Sequence, residues 1–166
     1  MRIGRRRFIQ VGLAGATLLA AARWAAPANL DAKSAEIIRA LIPVVLAGSL
    51  PADASSRGRA IHETVEAYER AVAGLAPAIQ EEIGEMLSLL SFTPTRYAMT
   101  GIASSWRDAE PAEIARFLQE WRTSGFELKR AGYRALTQLL QGAWFDNPLA
   151  WSAVGYPGPP SLTPPA

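Results

Sequence analysis

The chain has 166 residues, of which 49% are hydrophobic and 19% are charged, and its formal net charge is +2. At roughly 150 residues per domain this length accommodates one globular unit, and the apolar fraction excludes a disordered chain. The absence of cysteine and the single histidine, His62, exclude disulfides, iron–sulfur clusters, cysteine-ligated zinc, thiol catalysis and covalently attached c-type haem. Composition therefore predicts a small helical protein that is not an enzyme and holds no cofactor of its own.

The positive charge belongs to the N-terminal arm. Five of the 17 Lys and Arg residues lie within residues 1–28, which contain no Asp or Glu, and the other 12 stand against 15 Asp and Glu. The rest of the chain thus has a net charge of −3. A basic chain ordinarily suggests nucleic-acid or anionic-membrane binding. Because the excess is confined to the arm, we discount both and expect no nucleic-acid partner.

Residues 1–28 have the order of a secretory signal peptide. A basic segment, Met1–Arg7, precedes a weakly apolar run, Val11–Ala22, and Ala26–Ala28 is a small-residue cleavage site. The alternative is a retained membrane anchor, but a spanning helix needs about 20 apolar residues, and Arg23 interrupts this run sooner. We therefore predict export, with the mature chain starting at Asn29.

The arm also resembles the twin-arginine export motif, in which two arginines precede any residue, then Phe and an aliphatic residue. The matching positions are Arg5, Arg6, Phe8 and Ile9. This route carries folded proteins, mainly those that must acquire a cofactor or subunit before export. The chain has no dinucleotide-binding glycine motif, no phosphate-binding loop and no ligand set for haem or a cluster. The protein that requires this export route is therefore expected to be a partner of this chain.

The body of the chain, residues 29–145, shows helical periodicity and no sustained strand-like alternation. We predict an all-α single domain of about five helices packed as an irregular bundle. A kink or early stop is expected at Pro43, and Leu128 is assigned to the core face of the last helix. The predicted helices run from Asp31 or Ser34 to Leu46, from Gly58 to Leu75, from Ile79 to near Phe92, from the Asp108 and Pro111 start signals to Trp121, and from about Phe126 to Trp144, with a short helical piece at Thr95–Thr100.

Residues 146–166 are rich in Pro, Gly and aromatic side chains. This composition predicts an extended tail with a polyproline tendency. Trp151 and Tyr156 would lose exposed area only by packing against this domain or against a partner. Both alternatives remain open from the sequence.

Four groups of polar or aromatic residues could suggest a site, but each is expected to have a surface or structural role. His62 and Glu66 share a helix face without a second histidine, so they are expected on a solvated surface. The same solvated role is expected for Glu81, Glu82 and Glu85. The serines are not expected to be catalytic nucleophiles, because no histidine takes the position that a catalytic triad would require. The larger aromatic residues are expected in the core, and they are Trp106, Trp121, Tyr133 and Trp144. We predict no catalytic, cofactor-binding or metal-binding residue.

The two ends of the chain together resemble a known family. The segment Leu41–Leu46 is followed by Gly48–Pro51, and Trp144–Pro148 leads to Trp151–Pro159. With the twin-arginine motif, this order resembles the small (gamma) subunit of bacterial flavin-dependent dehydrogenases, the subunits related to gluconate 2-dehydrogenase subunit 3. Nearly the whole chain takes part in the resemblance.

The resemblance implies a noncatalytic role in a periplasmic complex. The large subunit, a flavoprotein of the glucose–methanol–choline type, would bind FAD, oxidise a sugar, sugar acid or alcohol, and pass electrons to a haem c subunit or another acceptor. The small subunit would assist folding and flavin loading and carry its partner through the twin-arginine translocase. Membrane association through the complex stays open. The alternative is a free-standing periplasmic helical chaperone or binding protein with an unrelated client.

The partner-binding surface is expected in the C-terminal segment. Large aromatic side chains dominate interface energetics, and rigid Pro and Gly residues reduce the entropy lost on docking. The residues assigned to this surface are Trp144, Trp151, Tyr156, Pro157, Gly158 and Pro159.

Overall fold

The computed structural model describes residues 31–153 together with Gly155 and Pro157. Its helices are α1 (Ala32–Val45), α2 (Ala54–Ala73), α3 (Pro77–Ser91), α4 (Thr93–Thr100), α5 (Pro111–Arg122), α6 (Glu127–Phe145) and α7 (Pro148–Ala153). No strand occurs within these residues. The all-α prediction is confirmed, whereas the predicted number of about five helices falls short of the seven that are present here.

Helix α1 is the centre of the bundle. It packs against α2, α3, α5 and α6, and four of its aliphatic side chains are completely buried, namely Ile37, Ile38, Leu41 and Ile42. Asp31 caps the helix, since its Oδ1 accepts a hydrogen bond from the Ser34 amide at 2.8 Å. The helix passes through Pro43 and ends two residues later, so Pro43 does not stop it. Proline lacks the amide hydrogen that would bond to the carbonyl four residues earlier, and the helix continues for only two residues after it.

Helix α2 starts earlier than its apolar pattern predicted. Asp53 is the N-cap, and its carboxylate accepts from the amides of Ser55 at 3.0 Å and Ser56 at 3.1 Å. These bonds satisfy amides that have no partner inside the helix. The first turn therefore forms before Gly58, where the apolar periodicity begins. Along its length α2 makes its most extensive contact with α6.

The aromatic core lies where α3, α4 and α5 meet. The Trp106 indole donates to the Leu90 carbonyl at 2.8 Å, and the Trp121 indole donates to the Met99 carbonyl at 2.9 Å. Phe117 contacts both indoles edge to face, with ring centroids 6.0 and 5.5 Å away. The predicted core role of Trp106, Trp121 and Trp144 is confirmed, because each is at most 4% exposed.

Glycine and proline set the boundaries of the shorter helices. Helix α4 ends at Gly101, whose φ of 75° is left-handed, a conformation that favours glycine. Helix α5 begins at Pro111, where a missing amide hydrogen costs nothing. Both boundaries agree with the predictions made from the sequence.

Two predictions near the C-terminus are wrong. Leu128, assigned to the core face of the last helix, is 74% exposed, because the first turn of α6 extends beyond the packed part of the bundle. Residues 148–153 form α7 rather than the start of an extended tail. Pro148 occupies the first helical position, and the Asn147 side-chain oxygen accepts from the Leu149 amide at 2.9 Å. The rest of the tail lies outside the described residues except Gly155 and Pro157, which are both exposed.

Candidate functional site

An open cleft of about 420 Å³ lies between α2 and the junction of α6 with α7. Helix α2 supplies one wall, and the turn after α6 supplies the other. The lining residues are Arg59, Glu63, Glu66, Ala67, Arg70, Asp146, Asn147, Pro148 and Leu149. We call this feature the C-terminal cleft.

A hydrogen bond between distant parts of the chain fixes the two walls of the cleft. The Asn147 side-chain amide donates to Glu63 Oε2 at 2.8 Å, and Asn147 is only 8% exposed. Hydrogen bonds to a charged acceptor are stronger than neutral ones. The indole of Trp151 donates to the Phe145 carbonyl at 2.9 Å, which ties α7 back to the end of α6. The junction of α6 with α7 is therefore held to α2 by one hydrogen bond and closed by a second one between α7 and the end of α6.

The cleft presents charges of both signs. Arg59 and Arg70 lie on α2, and Glu66 and Asp146 provide carboxylates. These groups can form ion pairs and hydrogen bonds with the backbone or side chains of another molecule. Among the described residues, no three His, Asp or Glu side chains are grouped as a metal site would require.

One lining residue of the cleft and the residue just before the lining turn are exposed apolar side chains. Phe145 is 53% exposed and Leu149, one of the lining residues, is 39% exposed. Apolar side chains beside arginines are typical of the composition of protein–protein interfaces. Neither residue was predicted from the sequence to belong to a binding surface. Phe145 lies in the segment that carries the family resemblance, one position after the tryptophan chosen instead.

The predicted role of Trp144 as a partner anchor does not fit its burial in this structure. Trp144 is 2% exposed, because it continues the buried stripe of Leu136 and Leu140 at a spacing of four residues. A side chain enclosed in its own core is not available to fill a pocket on another protein. Its neighbour Phe145 points outward instead. The spacing from Leu136 and Leu140 is a signal in the sequence that could have distinguished the two.

The other predicted partner residues fall into two groups. Trp151 is half-buried and Pro157 is exposed, so both lie near the surface at the C-terminal end. Tyr156, Gly158 and Pro159 lie outside the described residues. The export-signal residues also lie outside them, and they are Arg5, Arg6, Phe8 and Ile9.

The residues given a solvated role lie on the surface. His62 Nε2 is 3.5 Å from Glu66 Oε1, and the two side chains are 66% and 52% exposed. Partial burial and the neighbouring Glu66 raise the pKa of Glu69 on the same helix. Glu81, Glu82 and Glu85 are all exposed on α3. These placements agree with the expectation of solvent-facing helix surfaces.

Comparison of the chain with protein-family models, with curated proteins and with solved structures found no match. Within the described part of the chain, no helix combines the length and the apolar character needed to cross a membrane.

Proposed function

We propose that this chain is the noncatalytic small subunit of a periplasmic flavin-dependent sugar or alcohol dehydrogenase complex. Its role is to assist folding and flavin loading of the large subunit and to carry that subunit through the twin-arginine translocase. The observation that carries the proposal is the resemblance of Trp144–Pro159 to the family segment, in a chain that begins with a twin-arginine-like motif.

The surface at the C-terminal cleft supports this proposal. The segment that resembles the family contributes the exposed Phe145, and the exposed Leu149 lies between its two parts. Residues 146–149 also form one wall of the cleft, opposite two arginines. Apolar contact area next to ion-pairing groups suits a protein partner. In the proposed complex FAD belongs to the large subunit, and this chain contributes binding surface.

Co-purification with the flavoprotein tests the proposal. The chain is produced with its large subunit, isolated by an affinity tag, and assayed for bound protein and for flavin absorbance. The variant Phe145→Ser/Leu149→Ser is expected to retain less than a tenth of the flavoprotein, because it removes an aromatic side chain of the kind that dominates interface energetics together with its apolar neighbour. Phe92→Ser is the matched control, since Phe92 is 62% exposed at the α3–α4 connection, and it is expected to bind normally.

The outcomes separate the proposal from its alternative. Isolation of the chain without any flavoprotein would favour a free-standing periplasmic chaperone or binding protein. Normal binding by the double variant would keep the family assignment and move the interface away from the C-terminal cleft.

A further inference from the structure

The corner between α5 and α6 carries the two most exposed large apolar side chains of the described residues. Phe126 is 73% exposed and Leu128 is 74% exposed. Phe126 is the N-cap of α6 and Leu128 lies in its first turn. Both side chains project from the bundle, so each exposes apolar area to water that the fold does not cover. We call residues 122–134 the α5–α6 corner.

Basic side chains surround these two apolar residues. The α5–α6 corner contains four cationic side chains and one carboxylate, and these are Arg122, Lys129, Arg130, Arg134 and Glu127. The corner is therefore positive, in contrast to the chain after residue 28, whose net charge is −3.

The single carboxylate of the corner is already paired. Glu127 forms ion pairs with Arg130 and with Arg134, the latter at 2.8 Å. Hydrogen bonds from Arg134 and Arg130 lower the pKa of Glu127, so the carboxylate stays ionised and neutralises part of their charge. Neither Arg122 nor Lys129 forms an ion pair within the described residues. Their charges are available to an external anion.

We propose that the α5–α6 corner docks onto an anionic lipid bilayer. Phe126 and Leu128 enter the boundary between headgroups and acyl chains, while Arg122 and Lys129 face the lipid phosphates. Apolar side chains flanked by Lys and Arg are the composition that binds anionic membrane surfaces. Positive charges that are unpaired within the described residues lie beside these two apolar side chains and match the negative charge of an anionic lipid leaflet. This inference is independent of the proposed function.

A local fluorescent label tests the proposal in the full-length chain. The chain has no cysteine, so Phe126→Cys or Leu128→Cys provides a single attachment point for the environment-sensitive dye NBD. A local probe is needed because the basic N-terminal arm can itself bind anionic vesicles and would dominate a sedimentation assay. Tyr97→Cys, at a residue of α4 that is 61% exposed, is the matched control. Circular dichroism confirms that each labelled chain is folded.

The vesicles contain either phosphatidylglycerol mixed with phosphatidylcholine or phosphatidylcholine alone. We expect NBD at positions 126 and 128 to shift to the blue and gain intensity severalfold with the anionic vesicles only, and NBD at position 97 to stay unchanged. Removing a basic residue from a membrane-docking surface weakens partitioning about fivefold. Arg122→Gln/Lys129→Gln is therefore expected to weaken the response at position 126 by more than tenfold. Lys33→Gln/Arg39→Gln, on exposed positions of α1, is expected to preserve it.

Three outcomes would overturn the proposal. The first is unchanged NBD emission at 126 and 128 while the chain co-sediments with anionic vesicles. The second is an equal response at position 97. The third is a label at 126 that responds to a co-purified protein and not to vesicles, which would make the corner a protein interface.

Discussion

Tyr68 illustrates how one buried atom can reduce stability at the residue scale. Its side chain is 0% exposed, and its hydroxyl has no hydrogen-bond partner among the described residues. Burial raises the pKa of this hydroxyl, so it stays neutral at ordinary pH. An unsatisfied buried hydroxyl costs about 1–3 kcal/mol.

We predict that Tyr68→Phe raises the free energy of unfolding by about 1 kcal/mol, because the ring keeps its packing and the unpaired oxygen is removed. Urea denaturation measures the change. Tyr97→Phe, at an exposed position, is expected to have no effect. A loss of stability in Tyr68→Phe would show that the hydroxyl is hydrogen-bonded in solution.

Asp53 provides a pH-dependent prediction at the same scale. Hydrogen bonds from Ser56 and Ser55 lower the pKa of its carboxyl to about 2. The unfolded chain has an aspartate pKa of about 4. Because the folded pKa is the lower one, the stabilisation from this cap is fully present above pH 4 and is lost as the pH falls towards 2.

Asp53→Ala is accordingly expected to lower the melting temperature at pH 7, with the difference from the unmodified chain narrowing between about pH 4 and pH 2. Thermal unfolding followed by circular dichroism measures both. Asp53→Asn keeps one acceptor oxygen, so its advantage over the alanine variant should not vary over this range. A difference that stays constant with pH would show that the ionised carboxylate is not the capping group.

At the scale of elements, the packing of α5 against α6 depends on a glycine. A Cβ built on Gly132 of α6 would lie 2.5 Å from Cζ3 of Trp121. That ring cannot easily move, because its indole nitrogen donates to the Met99 carbonyl and the ring makes an edge-to-face contact with Phe117. The absence of a side chain at this position lets the two helices approach.

Gly132→Ala is predicted to reduce the free energy of unfolding by about 1–3 kcal/mol through overpacking. Gly84 of α3 is the matched control, because its Cβ would meet no atom within 4 Å. Gly84→Ala is expected to stabilise the protein by about 0.5–1 kcal/mol from helix propensity alone. Equal effects of the two substitutions in urea denaturation would mean that Trp121 moves aside.

Most helices could be predicted because their ends carry explicit chemical signals. Pro111 starts α5, and Gly101 ends α4. The start of α2 was missed because it depends on the Asp53 cap, not on apolar periodicity. Helix α7 was missed because the proline-rich composition of the last 20 residues suggested an extended tail, although Pro148 is well suited to a first helical position.

The candidate site was harder to predict than the fold. Periodicity identifies the buried face of a helix, but it does not say where along its length the neighbouring helices end. Leu128 therefore appeared to be a core residue, although the first turn of α6 extends past its neighbours. The pairing of Asn147 with Glu63 joins residues 84 positions apart, and no local pattern in the sequence predicts it.

At the scale of the whole molecule, the distribution of charge matters more than its sum. The chain is basic overall, its body after residue 28 is acidic, and within that body the α5–α6 corner is again basic. The overall basic charge and the acidic body can both be read from the sequence. The basic α5–α6 corner can be recognised as a surface only in the fold, where the exposed Phe126 and Leu128 lie among its cationic residues.

The proposed export route leads to a prediction for the whole complex. Arg5→Lys/Arg6→Lys is expected to leave both this chain and its flavoprotein partner in the cytoplasm, because the partner would depend on the twin-arginine-like motif of this chain. Cell fractionation with an assay of dehydrogenase activity measures the outcome. Lys33→Gln, outside the arm, is the control. Unchanged periplasmic activity in the double variant would contradict the carrier role.

The C-terminal tail offers the last prediction, deletion of residues 154–166. Each of the seven helices in the described part of the chain ends at or before Ala153, and the two described tail residues, Gly155 and Pro157, are exposed. We therefore expect circular dichroism to show nearly unchanged helix content, while co-purification of the flavoprotein is abolished. The reason is that Tyr156 and its neighbouring prolines would present an aromatic anchor whose ordering entropy is already reduced.

Comparison with Phe145→Ser/Leu149→Ser shows whether the tail and the C-terminal cleft act together. If they bind one continuous surface of the partner, the deletion and the double substitution each remove most of the co-purified flavoprotein while the chain stays folded. A deletion that melts the helices would instead make the tail a cover for the core of this domain. A folded, truncated chain that binds normally would remove the tail from the interface and leave Phe145 and Leu149 as its apolar contacts.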